Sequence, residues 1–240
     1  FIKNIQLFYG PDFNVLSHAS YRWLSEIFLY QDPPRHTRVR GLVTQALTAR
    51  RVTEMRPRVQ AIADRLLDGV DADGQMEVIH QFAYKFPTLV MCDMLGLSSE
   101  EASDEVLSQL NQAIADAFVV FEMRAFPDDV LALADRQIEF LEDFFGKVFA
   151  ARRQNPQDDL ATGLVNARDE TGPLSDHEMA TVAIGLFGAG FETTAHMIGN
   201  GLLALHSYPD QWAKLVANPA LAASATEEIL RYESSLIGSN

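Results

Sequence analysis

Residues 175–206 read SDHEMATVAIGLFGAGFETTAHMIGNGLLALH. Ser175 and Glu178 form an S-x-x-E capping box, in which each side chain can take up an orphan backbone N–H of the other. The apolar pattern behind them predicts one helix to about His206, roughly thirty residues or about 45 Å long. Its most apolar part, Met179 to Leu205, is interrupted by Glu192, His196 and Asn200, so no uncharged run reaches the roughly 18–20 residues that a membrane span needs. Midway lies Ala189-Gly190-Phe191-Glu192-Thr193-Thr194, where three unfavourable choices meet. An interior glycine costs about 1 kcal/mol relative to alanine. A buried carboxylate costs more unless it is paired. Two consecutive β-branched threonines add a mild penalty. Small residues let something flat approach the backbone. The Thr193 hydroxyl can take the Ala189 carbonyl four residues back and open the helix locally. An acid beside it could relay protons. The alternative reading is helix-packing glycines and a surface glutamate.

Working outward, proline and glycine divide the chain into helical blocks, with few strand signals and no internal repeat. The first thirty residues carry no clear periodicity. Asp32-Pro33-Pro34 opens a helix to about Leu47, with Asp32 available as a cap. A second helix reads from Val52 to about Val70, with Val59, Ile62, Ala63, Leu66 and Leu67 on one face. A block from Val78 to Leu95 splits or kinks near Pro87 and stops at Gly96. A capping box at Ser98–Glu101 opens a helix towards Val120. Further helices span about Asp128 to Arg153 and Leu160 to Ala167. Pro209 and Pro219 bracket a short one, and the last runs from Leu221 to Tyr232. Phe118, Phe121, Phe126, Phe140, Phe144, Phe145 and Phe149 are expected in the core. The expected fold class is mainly α, in one α-rich domain over residues 1–240.

Composition bounds the function. The chain has 240 residues, 48 % of them hydrophobic and 22 % charged, which fits a globular protein with a real core. Its 19 Lys+Arg against 33 Asp+Glu give a net charge of −14, a poor match to nucleic acid or to anionic membranes. No nucleic-acid or membrane partner is therefore expected. The single cysteine, Cys92, excludes an internal disulfide framework and a multi-cysteine metal site. Its apolar surroundings mark it as a small buried hydrophobe. The N-terminal residues FIKNIQLFYG lack a signal-peptide layout, so a cytoplasmic protein is expected.

Two further constellations stand out. His36 and Arg40 lie four apart on one helix face and together match carboxylates. A solvated basic face that includes Arg35 and Arg38 is the competing reading. Glu228 and Arg231 lie three apart and can pair, as such residues commonly do. No H-E-x-x-H, phosphate-loop or G-x-S-x-G motif occurs, and Gly188-Ala189-Gly190 sits in a helical context that excludes a dinucleotide fingerprint. His80, His177, His196 and His206 show no ligand spacing.

Taken in order, Asp32-Pro33-Pro34-Arg35-His36-Thr37-Arg38-Val39-Arg40, Ala189-Gly190-Phe191-Glu192-Thr193-Thr194 and Glu227-Glu228-Ile229-Leu230-Arg231-Tyr232-Glu233-Ser234 resemble a soluble bacterial cytochrome P-450. Phe86-Pro87-Thr88 and Gly96-Leu97 fit the same family. The resemblance implies a P-450-like helical fold, incomplete at both ends, with this chain as the central part of a haem domain. It implies haem b iron as cofactor in the complete protein. His36 and Arg40 resemble the residues that bind its propionates, and Ala189 and Gly190 those that let the long helix cross its distal face. Thr193 resembles the alcohol that delivers protons in oxygen activation, and Glu192 its acid partner. Glu228 and Arg231 resemble a salt-bridged pair bracing the core and the haem loop. The family's iron ligand is a cysteine in a Gly- and Phe-rich loop after that pair, and thiolate ligation of this kind drives O–O cleavage. Cys92 precedes the long helix and is not that residue, so no metal ligand is assigned within these residues.

The implied function is a haem-thiolate monooxygenase. It would oxidise a hydrophobic small molecule with O2 and electrons from a separate ferredoxin-type partner, and the present chain alone would be inactive. The alternative is a haem-free, P-450-like helical partner protein, such as a glycosyltransferase activator.

Overall fold

A computed structural model describes residues 2–70, 74–97, 101–122 and 124–235. Eleven α-helices, four short 3-10 turns, one π-helical turn and a hairpin of two two-residue strands make up the regular structure among them. The chain is mainly α, as its proline and glycine punctuation implies. It divides into two compact units, Phe1–Pro57 with Cys92–Gly188, and Arg58–Met91 with Ala189–Asn240.

The first unit starts with α1 (Ile2–Tyr9) and α2 (Ala19–Glu26), followed by α3 (Arg35–Ala46) and the first part of α4 (Ala49–Asp68). After the end of α5 (Lys85–Leu95) come α6 (Asp104–Phe118), α7 (Asp128–Gln154), α8 (Leu160–Asn166), the hairpin of β1 (Arg168–Asp169) and β2 (Gly172–Pro173), and the first part of α9 (Asp176–Ser207). Trp23, Leu42, Ile114, Ile138, Phe145, Ile184 and Phe187 form its centre, each at most 1 % exposed. Trp23 stacks on Phe118 at 5.1 Å, and Phe145 meets Phe187 at 5.8 Å. Gly188 has no Cβ because the Phe118 ring occupies that place.

Helix starts follow from side-chain chemistry. Ser175 Oγ accepts from the Glu178 N–H at 3.1 Å, and Glu178 Oε2 accepts from the Ser175 N–H at 2.8 Å, so the box before α9 is reciprocal. Asp159 caps α8 by accepting from Thr162 N–H at 2.7 Å. α5 ends in a Schellman motif: Leu97 N–H donates to Cys92 O, Gly96 N–H donates to Asp93 O, and Gly96 takes φ +83°. The Asp159 carboxylate fills the space where a Gly96 side chain would stand, and the Arg152 guanidinium bridges Asp159 and the Gly96 carbonyl. α2 lacks a cap of its own. Asp135, on α7, accepts from both Ser20 N–H (2.9 Å) and Ser20 Oγ–H (2.6 Å).

Several sequence expectations change here. α3 begins at Arg35 without a side-chain cap, so Asp32 contributes only its carbonyl, to His36 N–H. The break before α5 falls at Tyr84, after a π-helical turn over Ile79–Ala83, and Pro87 sits in the first turn of α5, where its missing N–H costs nothing. α6 begins at Asp104 with Ser103 as its cap; the expected box at Ser98 falls outside the described residues. Phe140 is 36 % exposed, because it stands one position off the Ile138-Leu141-Phe145 face of α7. Leu67 is 50 % exposed for the same reason, whereas Met55 joins the buried face of α4.

The second unit contains the remainder of α4 and of α5, the second part of α9, and α10 (Pro209–Ala217) and α11 (Ala222–Tyr232). Glycines set its packing. A Cβ on Gly190 would meet Met91 Sδ at 2.6 Å, one on Gly199 would meet Ile79 at 3.2 Å, and one on Gly201 would meet Ile229 at 2.9 Å. Phe191 packs near Tyr84 at 5.6 Å. Between α9, α10 and α11 lies an open groove of about 570 Å³ lined by Leu205, Tyr208, Leu215, Leu221, Ile229 and Tyr232.

Candidate active site

On α3, four basic side chains follow in six residues, and they have different fates. Arg35 pairs with Glu26 at 3.4 Å. Arg38 donates to Thr171 Oγ1 (2.7 Å), Glu178 Oε1 (3.0 Å) and the Pro173 carbonyl (3.0 Å), and lies 3.2 Å from Asp169 Oδ2. His36 and Arg40, one turn apart, have no side-chain hydrogen bond or ion pair among the described residues, and Arg40 is exposed. The competing picture of one solvated basic face therefore fails for Arg38, whose side chain is only 24 % exposed. Its partners lie 131 to 140 residues downstream, beyond the reach of local sequence patterns.

On α9, Thr193 Oγ1 donates to the Ala189 carbonyl at 2.6 Å. The backbone nevertheless stays α-helical throughout Asp176–Ser207, so the hydroxyl shares the carbonyl and does not open the helix. Ala189, Glu192, Thr193, His196 and Asn200 fall within one open stripe, while Phe191 and Ala195 are buried on the opposite side. Glu192 is half-buried and has no hydrogen bond or ion pair among the described residues. Ala189 and Gly190 point about 100° apart. Only Ala189 faces the open stripe; Met91 occupies the notch at Gly190, which the sequence expectation leaves to a cofactor.

Glu228 and Arg231 do pair, through a two-point fork at 2.8 and 2.6 Å. The hydrogen bonds from Arg231 hold the Glu228 carboxyl below its usual range. The pair is exposed, at the rim of the α9–α10–α11 groove, rather than enclosed. Cys92 is 1 % exposed, and burial, with a smaller contribution from Asp93, pushes its thiol up to about 12. It stays protonated and is unsuited to ligating iron as a thiolate. His177 lies between Glu26 (2.7 Å) and Glu142 (3.5 Å), a structural bridge that no spacing rule indicates. No group of three His, Cys, Asp or Glu among the described residues could hold a metal ion, and none of their helices is long and apolar enough to cross a membrane.

The donor set on α3 fits a group carrying two carboxylates. Arg35 and Arg38 are taken up by the protein's own side chains, whereas His36 and Arg40 remain available. The Ala189–Thr193 stripe fits the approach of a flat ring, since Ala189 and Thr193 are small and the longer Glu192 stands towards its edge.

A mainly helical fold is what these features define, and comparison with known proteins agrees. Residues 1–221 match the sequence model of the cytochrome P-450 family. The chain is 36 % identical over 209 residues to a vitamin D(3) 25-hydroxylase of Pseudonocardia autotrophica, covering 87 % of this chain and 49 % of that protein. It is 36 % identical over 202 residues to the 6-deoxyerythronolide B hydroxylase of Saccharopolyspora erythraea, covering 84 % and 47 %. The crystal structure of P-450BioI in complex with acyl carrier protein ligated to hexadec-9Z-enoic acid superposes with a TM-score of 0.82 at 29 % identity, covering 93 % of this chain and 56 % of that one. The chain belongs to the cytochrome P-450 family. It spans about half the length of the curated relatives it matches.

Proposed function

We propose that the complete protein is a haem-thiolate monooxygenase, and that this chain is the central part of its haem domain. The observation that carries the reading is the pair His36 and Arg40, unpartnered on a helix whose other two arginines are neutralised. These two side chains hold the haem propionates by charge-assisted hydrogen bonds. Ala189 lets the ring plane approach α9. Haem iron, when bound, supplies the activation of dioxygen.

The remaining chemistry belongs to the chain's own residues. The Thr193 proton is engaged with the Ala189 carbonyl, which leaves the lone pairs of Oγ1 free to accept. Oγ1 can accept a hydrogen bond from a water, and Glu192 can exchange a proton with that water. Glu192, half-buried and unpaired among the described residues, is the acid that exchanges protons with solvent. Glu228 and Arg231 brace the end of α11. The substrate is a hydrophobic small molecule, electrons come from a separate ferredoxin-type protein, and the enzyme works in the cytoplasm. The names of the two hydroxylases above support the reaction class.

The deciding measurement is a reduced carbon-monoxide difference spectrum of the complete protein. The red-shifted Soret band of thiolate-ligated haem is expected. A full-length protein that purifies without haem would sink the reading and leave the haem-free partner protein in its place. In the loaded enzyme, Thr193→Ala is expected to divert oxygen consumption into peroxide; unchanged coupling would remove Thr193 from proton delivery.

A further inference from the structure

Arg38 makes more polar contacts than any other side chain of α3. It reaches the β1 residue Asp169, the turn residue Thr171, the β2 carbonyl of Pro173 and the first turn of α9 at Glu178. Its partners are themselves tied together. Asp169 Oδ1 accepts from the Thr171 N–H (2.8 Å) and hydroxyl (2.6 Å), and Glu178 belongs to the reciprocal box with Ser175. Burial would raise the Glu178 carboxyl, but the Ser175 donors and the guanidinium of Arg38 outweigh it and keep the group ionised. The planar fork of arginine suits this arrangement, since several fixed donors meet separate acceptors at once. Arg38 stands two residues from both His36 and Arg40, so it points to a different side of the helix from that pair.

We propose that Arg38 is a positioning residue for the haem propionates. It fixes the rotation and the axial position of α3 against the α8–α9 hairpin and the start of α9, and so sets where His36 and Arg40 present their donors. Haem retention then depends on a side chain that never meets haem. The proposal rests on the reading of His36 and Arg40 given above.

The test is a double-mutant cycle in the full-length, haem-loaded protein, read as the rate of haem transfer to excess apomyoglobin. Urea unfolding of the haem-free forms is measured alongside. Arg40→Ala is expected to speed haem loss roughly tenfold, as for one lost charge-assisted hydrogen bond. Arg38→Met is expected to speed it several-fold. The double variant is expected to lose haem less fast than the two single effects combined would give, because Arg38 acts through Arg40 as well as through His36. Arg35→Met, which removes one exposed pair, is the control and should leave the rate unchanged. If Arg38→Met fails to fold, Thr171→Val, which removes the hydroxyl that accepts from Arg38 and donates to Asp169, should shift the rate in the same direction by less. Additive effects in the cycle, or an Arg38→Met rate equal to wild type while Arg40→Ala is fast, overturn the positioning role alone. An Arg40→Ala rate equal to wild type overturns the propionate assignment with it.

Discussion

The two parts of α9 share one unbroken helix and a similar mix of small and apolar residues, yet they are used differently. From Met179 to Gly188, Met179, Ala180, Thr181, Val182, Ala183, Ile184 and Phe187 are all below 9 % exposed. From Ala189 to Ser207, Phe191 and Ala195 are comparably buried, and Leu203 is 68 % exposed. The first part is buried around most of its circumference, while the second is buried on one side and presents the other. Hydropathy alone does not separate the two; the exposure of their side chains does.

The largest expected effect contrasts the two parts directly. Phe187→Ala should cost about 3–5 kcal/mol in urea unfolding, through lost burial and a residual cavity. Leu203→Ala should change stability by less than about 0.5 kcal/mol. Similar costs would remove the contrast. Next, one substitution should change sign within a single turn. Gly188→Ala drives a methyl into the Phe118 ring and should destabilise by about 1–3 kcal/mol. Gly185→Ala meets nothing within 4 Å and should stabilise by up to about 1 kcal/mol through helix propensity. The smallest effect concerns pH. The Glu178 carboxyl is lower in the folded chain than in the unfolded one. It therefore contributes stability that is present above the ordinary carboxylate range and lost as pH falls through it. Glu178→Gln should flatten the acid limb of the stability–pH curve, and a limb of unchanged slope would show that Arg38 and Ser175 do not favour the ionised form.

What could be read from sequence was local. The start of α9 was legible because both halves of its capping box lie within four residues, and the end of α5 because Gly96 takes the one conformation that other residues resist. The Thr193–Ala189 hydrogen bond spans a single turn and was equally open to inspection. What could not be read was held across long separations. Arg38 looked like one of several surface arginines, because nothing near it in sequence reveals Asp169, Thr171 or Glu178. Met91 gave no sign of its place against Gly190. Ala189 and Gly190 read as one unit, although a helix turns consecutive residues to different neighbours.

The capping of α2 by Asp135 bears on the order in which the chain can acquire structure. The acceptor that completes the first turn of α2 lies 115 residues further along. During synthesis, α2 leaves the ribosome with its leading N–H groups open to water, and it stays a marginal eight-residue helix until α7 has been made and docked. A contact of such long range is formed late and slows folding. α2 is thus made before the residue that caps it and gains its full stability only once α7 has docked.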